Sequence, residues 1–174
     1  PIGVQSFEIL RENNFLYIDK TQYVAQLLSG RVYFLSRPRR FGKSLFLSTL
    51  AAYFRGEKEL FGGLYLAQAE EELARQSKRE AWQTHPVLYI DLNAEVYSDE
   101  RALENILNVH LTQFEKLYGT EPTETTYPSR FAGIMRRACE KTGQRVVVLV
   151  DEYDKPLLQT LDAEQQALHE KNRN

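Results

Sequence analysis

The 174-residue chain holds one cysteine, Cys139, so no disulfide can close within it, and a reducing, cytoplasmic setting is the expectation. Cys139 sits beside a helical apolar face and reads as a buried, inert thiol. Histidine is almost as scarce: His85, His110 and His169 lie far apart, without metal-ligand spacing, and each reads as structural or exposed. No uninterrupted apolar run exceeds five residues, which excludes a helix that spans a membrane, and no signal-peptide pattern opens the chain. Charge of neither sign dominates. With 22 Lys and Arg against 24 Asp and Glu, a net charge of -2 gives no global attraction to nucleic acid. Repeats and low-complexity stretches are also missing, and 43% apolar with 26% charged residues describes one ordinary globular domain.

What is present concentrates in two places. The first is Val32-Tyr33-Phe34-Leu35-Ser36-Arg37-Pro38-Arg39-Arg40-Phe41-Gly42-Lys43-Ser44. Val32 to Leu35 reads as a short buried strand and Lys43 onward as a helix, with Leu47, Leu50, Ala51 and Phe54 on one face. Strand, loop and helix in that order, closing on Gly-Lys-Ser, is how a phosphate-binding loop ends: backbone N–H groups wrap the phosphates, Lys reaches the terminal ones and Ser ligates Mg²⁺. In the usual G-x-x-x-x-G-K-[ST] spacing the first glycine would stand at position 37, which is Arg37 followed by Pro38. Proline drives its predecessor toward extended geometry, so the strand is expected to run on through Arg37. Arg37, Arg39, Arg40 and Lys43 place four cations within seven residues, a density that favours a polyphosphate.

The second place is Val146-Val147-Val148-Leu149-Val150-Asp151-Glu152, an apolar run ending in two carboxylates. It reads as a central strand buried on both faces, with acid at the carboxyl end where open α/β sheets bind ligands. Asp151 is placed to reach a Mg²⁺ held by Ser44 and the phosphates, and Glu152 to deprotonate an attacking water. Asp154 reads as a turn former before Lys155-Pro156. Val87 to Leu92 supplies a further strand between the two motifs. An extra strand, with Glu beside the Asp, is the pattern of ATPases that carry their own catalytic glutamate. No Asn-Lys-x-Asp motif is present to read guanine.

Ile2-Gly3-Val4-Gln5-x-Phe7, Tyr17-Ile18-Asp19-Lys20-Thr21, the Phe34–Ser44 run, Asp91-Leu92-Asn93 and Val150-Asp151-Glu152-Tyr153-Asp154-Lys155-Pro156-Leu157 together resemble the bacterial AAA-ATPase-like family over nearly the whole chain. In that family the first loop glycine is commonly missing. The resemblance implies ATP as ligand, bound along Arg39, Arg40, Phe41, Gly42, Lys43, Ser44 and Leu45, with Mg²⁺ at Ser44 and Asp151 and catalytic roles for Lys43 and Glu152. It also implies a PD-(D/E)XK nuclease-like domain following the ATPase domain in full-length relatives.

The fold expected is α/β, a P-loop NTPase-like three-layer sandwich with a mostly parallel sheet. Residues 1–174 would be the N-terminal part of that domain, with a leading segment over 1–30 and a core over 31–174. In such ATPases a later strand lies between the P-loop strand and the acidic strand. It would follow Asn174, so the sheet is expected to be incomplete at the C-terminus, with exposed edges open to self-association.

Within the leading segment an extended stretch at Phe15 to Ile18 precedes a helix from Lys20 to Leu28, with Asp19 as N-cap. Glu57 to Gly63 reads as a loop, and Ala67 to Trp82 as a helix whose charges form a solvated face. A helix opens at Ser98 with Leu103, Ile106, Leu107, His110, Leu111, Phe114 and Leu117 inward. Another starts at Pro128, turns Phe131, Ile134, Met135 and Ala138 inward, and stops at Gly143. From Asp162 a polar helix start is expected to fray. Two functions follow: a Mg²⁺-dependent ATPase, or a nucleotide-sensing scaffold that binds ATP without significant turnover.

Overall fold

The computed structural model describes residues 3–28, 30–36, 41–93 and 101–156. They fall into two compact units, residues 1–87 and 88–174.

In the first unit Ser6 caps α1 (Phe7–Glu12), its hydroxyl accepting from the Ile9 N–H at 3.2 Å. At six residues α1 is too short for apolar periodicity to mark it in the sequence. Next come α2 (Gln22–Leu27), α3 (Lys43–Phe54), a 3₁₀ turn at Lys58–Phe61 where a loop was expected, and α4 (Tyr65–Gln76). Helix α1 packs on α3 and α2 on α4, with the 3₁₀ turn against α1, α3 and α4. Phe7, Phe61 and Leu66 are fully buried at the centre. The Phe61 ring lies 4.9 Å from that of Phe7 and 5.2 Å from that of Trp82, so aromatic contacts carry the core across the unit.

Three further expectations change in this unit. Asp19 does not cap α2, whose N-cap is Thr21. Its Oδ1 accepts from the Thr21 N–H at 2.8 Å and its Oδ2 from the Tyr65 N–H at 2.7 Å, so one carboxylate ties the approach to α2 to the first turn of α4. Helix α4 stops at Gln76 because Lys78 turns left-handed (φ 52) and the chain folds back. Its charges are not all solvated: Glu70 is fully buried, with Arg79 at 2.6 and 3.1 Å, the Tyr53 hydroxyl at 3.0 Å and the Trp82 N–H at 3.0 Å. A carboxylate tolerates such burial only when donors surround it. Third, Val32–Leu35 forms no strand, and Val32 is 91% and Phe34 73% exposed. A strand needs a neighbour for its backbone groups, and this segment is not a member of the β1–β2 sheet, which holds two strands among the described residues.

In the second unit β1 (Val87–Asp91) and β2 (Val147–Asp151) form a parallel pair, two strands being all that the described sheet contains. Between them run α5 (Ala102–Tyr118) and α6 (Tyr127–Thr142), packed on each other. Leu88, Ile90 and Leu92 meet Ala102, Ile106, Leu111, Phe114 and Ile134 in one core. The Ser98 start expected for α5 lies outside the described residues, as does the segment from Asp162. Ile106, Leu111 and Phe114 face inward as the spacing predicts, but Leu103 and Leu117, at its margins, are exposed. Helix α6 opens one residue before Pro128, with Thr126 and Ser129 in a reciprocal capping box, and closes at left-handed Gly143.

Strand β2 is not buried on both faces. Leu149 and Asp151 are covered, while Val148 and Val150, on the opposite face, are 39% and 38% exposed, so that face is only partly covered. Cys139 is exposed, a correction to the buried thiol: α6 turns its neighbour Ala138 inward and carries Cys139 round to solvent.

Candidate nucleotide site

The sequence motifs fall on two unit-sized pieces. In the first unit Gly42 is the N-cap of α3 with φ 74 and ψ 33, left-handed geometry that glycine adopts without strain. Its carbonyl accepts from the Phe46 N–H at 3.0 Å, closing the first helical turn around Lys43, Ser44 and Leu45. A twelve-residue helix opening this way directs first-turn N–H groups and the positive dipole end at whatever lies before it. Lys43, Ser44 and Leu45 are half-buried, and Phe41 is largely exposed. Arg37, Pro38, Arg39 and Arg40 lie outside the described residues.

Beside this helix start is a cleft of about 240 Å³ whose lining includes Val4, Leu16, Ile18, Lys20, Gly42 and Leu45. Apolar side chains of the leading segment thus form a wall next to the loop glycine. The sequence reading missed this wall, although Tyr17-Ile18-Asp19-Lys20-Thr21 was among the segments that carried the resemblance. The leading segment is pinned to α3: Ser48 Oγ accepts from the Phe7 N–H at 2.9 Å and donates to Glu8 Oε2 at 2.9 Å, and the Tyr17 and Thr49 hydroxyls are 3.4 Å apart. Burial acts to raise the Glu8 pKa, but hydrogen bonds from Ser6 and Ser48 and the nearby Arg55 charge outweigh it and hold the carboxyl below its usual range.

In the second unit both strand tips carry acid. Asp151 is 3% exposed; its Oδ1 accepts from the Glu152 N–H at 2.9 Å and its Oδ2 from the Tyr89 hydroxyl at 3.2 Å. Glu152 has φ 53, an uncommon conformation for a residue with a Cβ, and its carbonyl accepts from the Lys155 N–H at 3.0 Å. Asp154 lies in the turn so formed, as expected. At the neighbouring tip Asp91 Oδ1 accepts from the Asn93 N–H at 2.8 Å, and the Leu92 N–H donates to the Asp151 carbonyl at 3.1 Å. Lys155 Nζ donates to the Asn93 carbonyl at 3.3 Å and to its side-chain oxygen, so the two turns are tied. His110 Nε2 lies 3.0 Å from the Asp91 carbonyl, and the His85 ring packs edge-on to Phe54, which gives both histidines structural roles.

No cluster of three or more His, Cys, Asp or Glu able to hold a metal occurs among the described residues. No helix among them is long and apolar enough to cross a membrane.

A helix opened by a left-handed glycine ahead of Lys and Ser, and parallel strands tipped with acid, belong with a known class. The chain is a member of the AAA-ATPase-like family of predicted AAA-ATPases, whose model matches residues 1–174. It is 44% identical over 163 residues to an uncharacterized protein encoded in the vnfD 5' region of Azotobacter chroococcum mcd 1. That match covers 92% of this chain and 30% of the relative, so the chain spans less than a third of that protein's length. No solved structure matches.

Proposed function

We propose that the protein binds ATP together with Mg²⁺ and hydrolyses it, using a P-loop NTPase-like sandwich of which residues 31–174 form the first part of the core. The observation that carries this reading is Gly42: a left-handed glycine heads a twelve-residue helix, Lys43 and Ser44 follow it, and an apolar cleft adjoins it. The helix start suits phosphate, and Lys20 in the cleft lining adds a cation on the same side. Family membership supports the same ligand class.

In this reading Lys43 pairs with the terminal phosphates, and Arg39 and Arg40 add charge beside Phe41 and Leu45. The Ser44 hydroxyl and the Asp151 carboxylate are the protein's ligands to Mg²⁺. Both are hard oxygen donors of the kind that Mg²⁺ takes beside phosphate oxygens and water. When bound, Mg²⁺ supplies neutralisation of charge on the phosphate oxygens. Glu152 accepts the proton of the attacking water.

Phosphate release tests the reading. Lys43→Ala is expected to weaken nucleotide binding by about 10–100-fold, whereas Glu152→Gln keeps binding and loses turnover by about 10²-fold or more. Release unchanged in both variants overturns the assignment. Tight binding with no turnover in the unmodified protein supports the ATP-sensing scaffold instead.

A further inference from the structure

We infer that Tyr89 is a positioning residue for the Asp151 carboxylate, fixing its rotation so that it meets Mg²⁺ already oriented; this rests on the proposed assignment of Asp151 as a metal ligand. Along β1 burial alternates: Leu88 and Ile90 enter the core, while Tyr89 and Asp91 point to the other face. Tyr89 is therefore not spent on that core. Its hydroxyl reaches the adjacent strand and donates to Asp151 Oδ2 at 3.2 Å.

The second oxygen is held from a different element. The Glu152 N–H bonds Oδ1 at 2.9 Å, a contact made as the chain turns left-handed at Glu152. With a donor on each oxygen, the Tyr89 hydroxyl from a paired strand and the Glu152 N–H from the turn, rotation of the carboxylate breaks at least one of these bonds. A ligand held this way loses little freedom on binding an ion, and outer partners of this kind typically change metal affinity by about 10–100-fold. A phenylalanine at 89 would fill the same space, so the hydroxyl is separable from the ring by substitution.

The test is a Mg²⁺ titration at fixed fluorescent ATP analogue, with Mn²⁺ binding followed by electron paramagnetic resonance as a readout independent of turnover. For Tyr89→Phe in the full chain the half-saturating Mg²⁺ concentration is expected to rise about tenfold, with affinity for the analogue in EDTA unchanged. p-Aminophenylalanine at position 89, which restores an N–H donor at the same reach, is expected to recover most of the loss. Half-saturating Mg²⁺ unchanged in Tyr89→Phe overturns the inference, as does a loss that the restored donor fails to recover, since that would assign the effect to packing. Asp151→Asn separates the two claims. If it weakens Mg²⁺ binding while Tyr89→Phe does not, the inference falls and the metal assignment stands; if Asp151→Asn has no effect, the assignment falls and the inference with it.

Discussion

Ser48 Oγ lies 2.9 Å from Glu8 Oε2, one helical turn along α3 from Ser44. Through this bond, and the Phe7 N–H that the same hydroxyl accepts at 2.9 Å, the leading segment is fastened to the helix that opens at Gly42. The wall of the cleft thus depends on α1 staying docked.

The depressed Glu8 pKa gives that docking a pH dependence. A carboxyl whose folded pKa is lowered contributes stability above its unfolded value, near 4.5, and loses it as pH falls through the folded value. Asp19, pulled up by burial but held low by bonds from Tyr65 and Thr21, acts in the same direction. Melting temperature followed downward from pH 5 is expected to fall less steeply for Glu8→Gln than for the unmodified protein, and equal slopes contradict the role given to Glu8.

Gly133 tests packing against propensity. It is buried within α6, where alanine ordinarily stabilises a helix by about 1 kcal/mol. Here a Cβ would overlap Glu124 Oε1, and that carboxylate is held by Arg137, with Nη2 to Oε2 at 2.8 Å. Gly133→Ala is expected to lower the urea midpoint by itself, but to raise it in a Glu124→Ala background. A rise in both backgrounds contradicts the close approach.

Arg79→Ala strips the two-pronged partner from a carboxylate with no exposed surface. Breaking a buried pair from one side costs about 3–5 kcal/mol, so denaturant unfolding should shift accordingly. Substituting both partners, Glu70→Leu with Arg79→Met, is expected to cost much less than Arg79→Ala.

At Glu152 the left-handed backbone strains any residue with a Cβ, by about 1 kcal/mol or more. Glu152→Gly is expected to hold or raise the melting temperature while abolishing phosphate release. A large thermal loss would mean that the side chain serves the fold.

These contrasts mark what the chain's pattern reveals. Strand β1, strand β2, α5 and α6 are legible because their periodicity and end signals act locally, as Gly143 shows at the end of α6, though the Thr126 cap is not among the signals read. Asp151 is legible because an acid after four valines and a leucine has few other readings. Tyr89 is not, since its bond spans 62 residues and alternation gives only its face. Glu70 misleads for a related reason: on the α4 pattern it is one acid among several, and only the fold-back at Lys78 that delivers Arg79 makes it internal. Val32 to Leu35 has the composition of a strand, but composition supplies no partner.

Calorimetric titration of ATP with Mg²⁺ into the unmodified protein and into Lys43→Ala tests the nucleotide account most directly. Losing a charge-assisted bond to phosphate costs about 1.5–3 kcal/mol, so one saturable site should weaken by about 10–100-fold in the variant. Equal affinity in the two proteins, or no saturable binding to either, would contradict it.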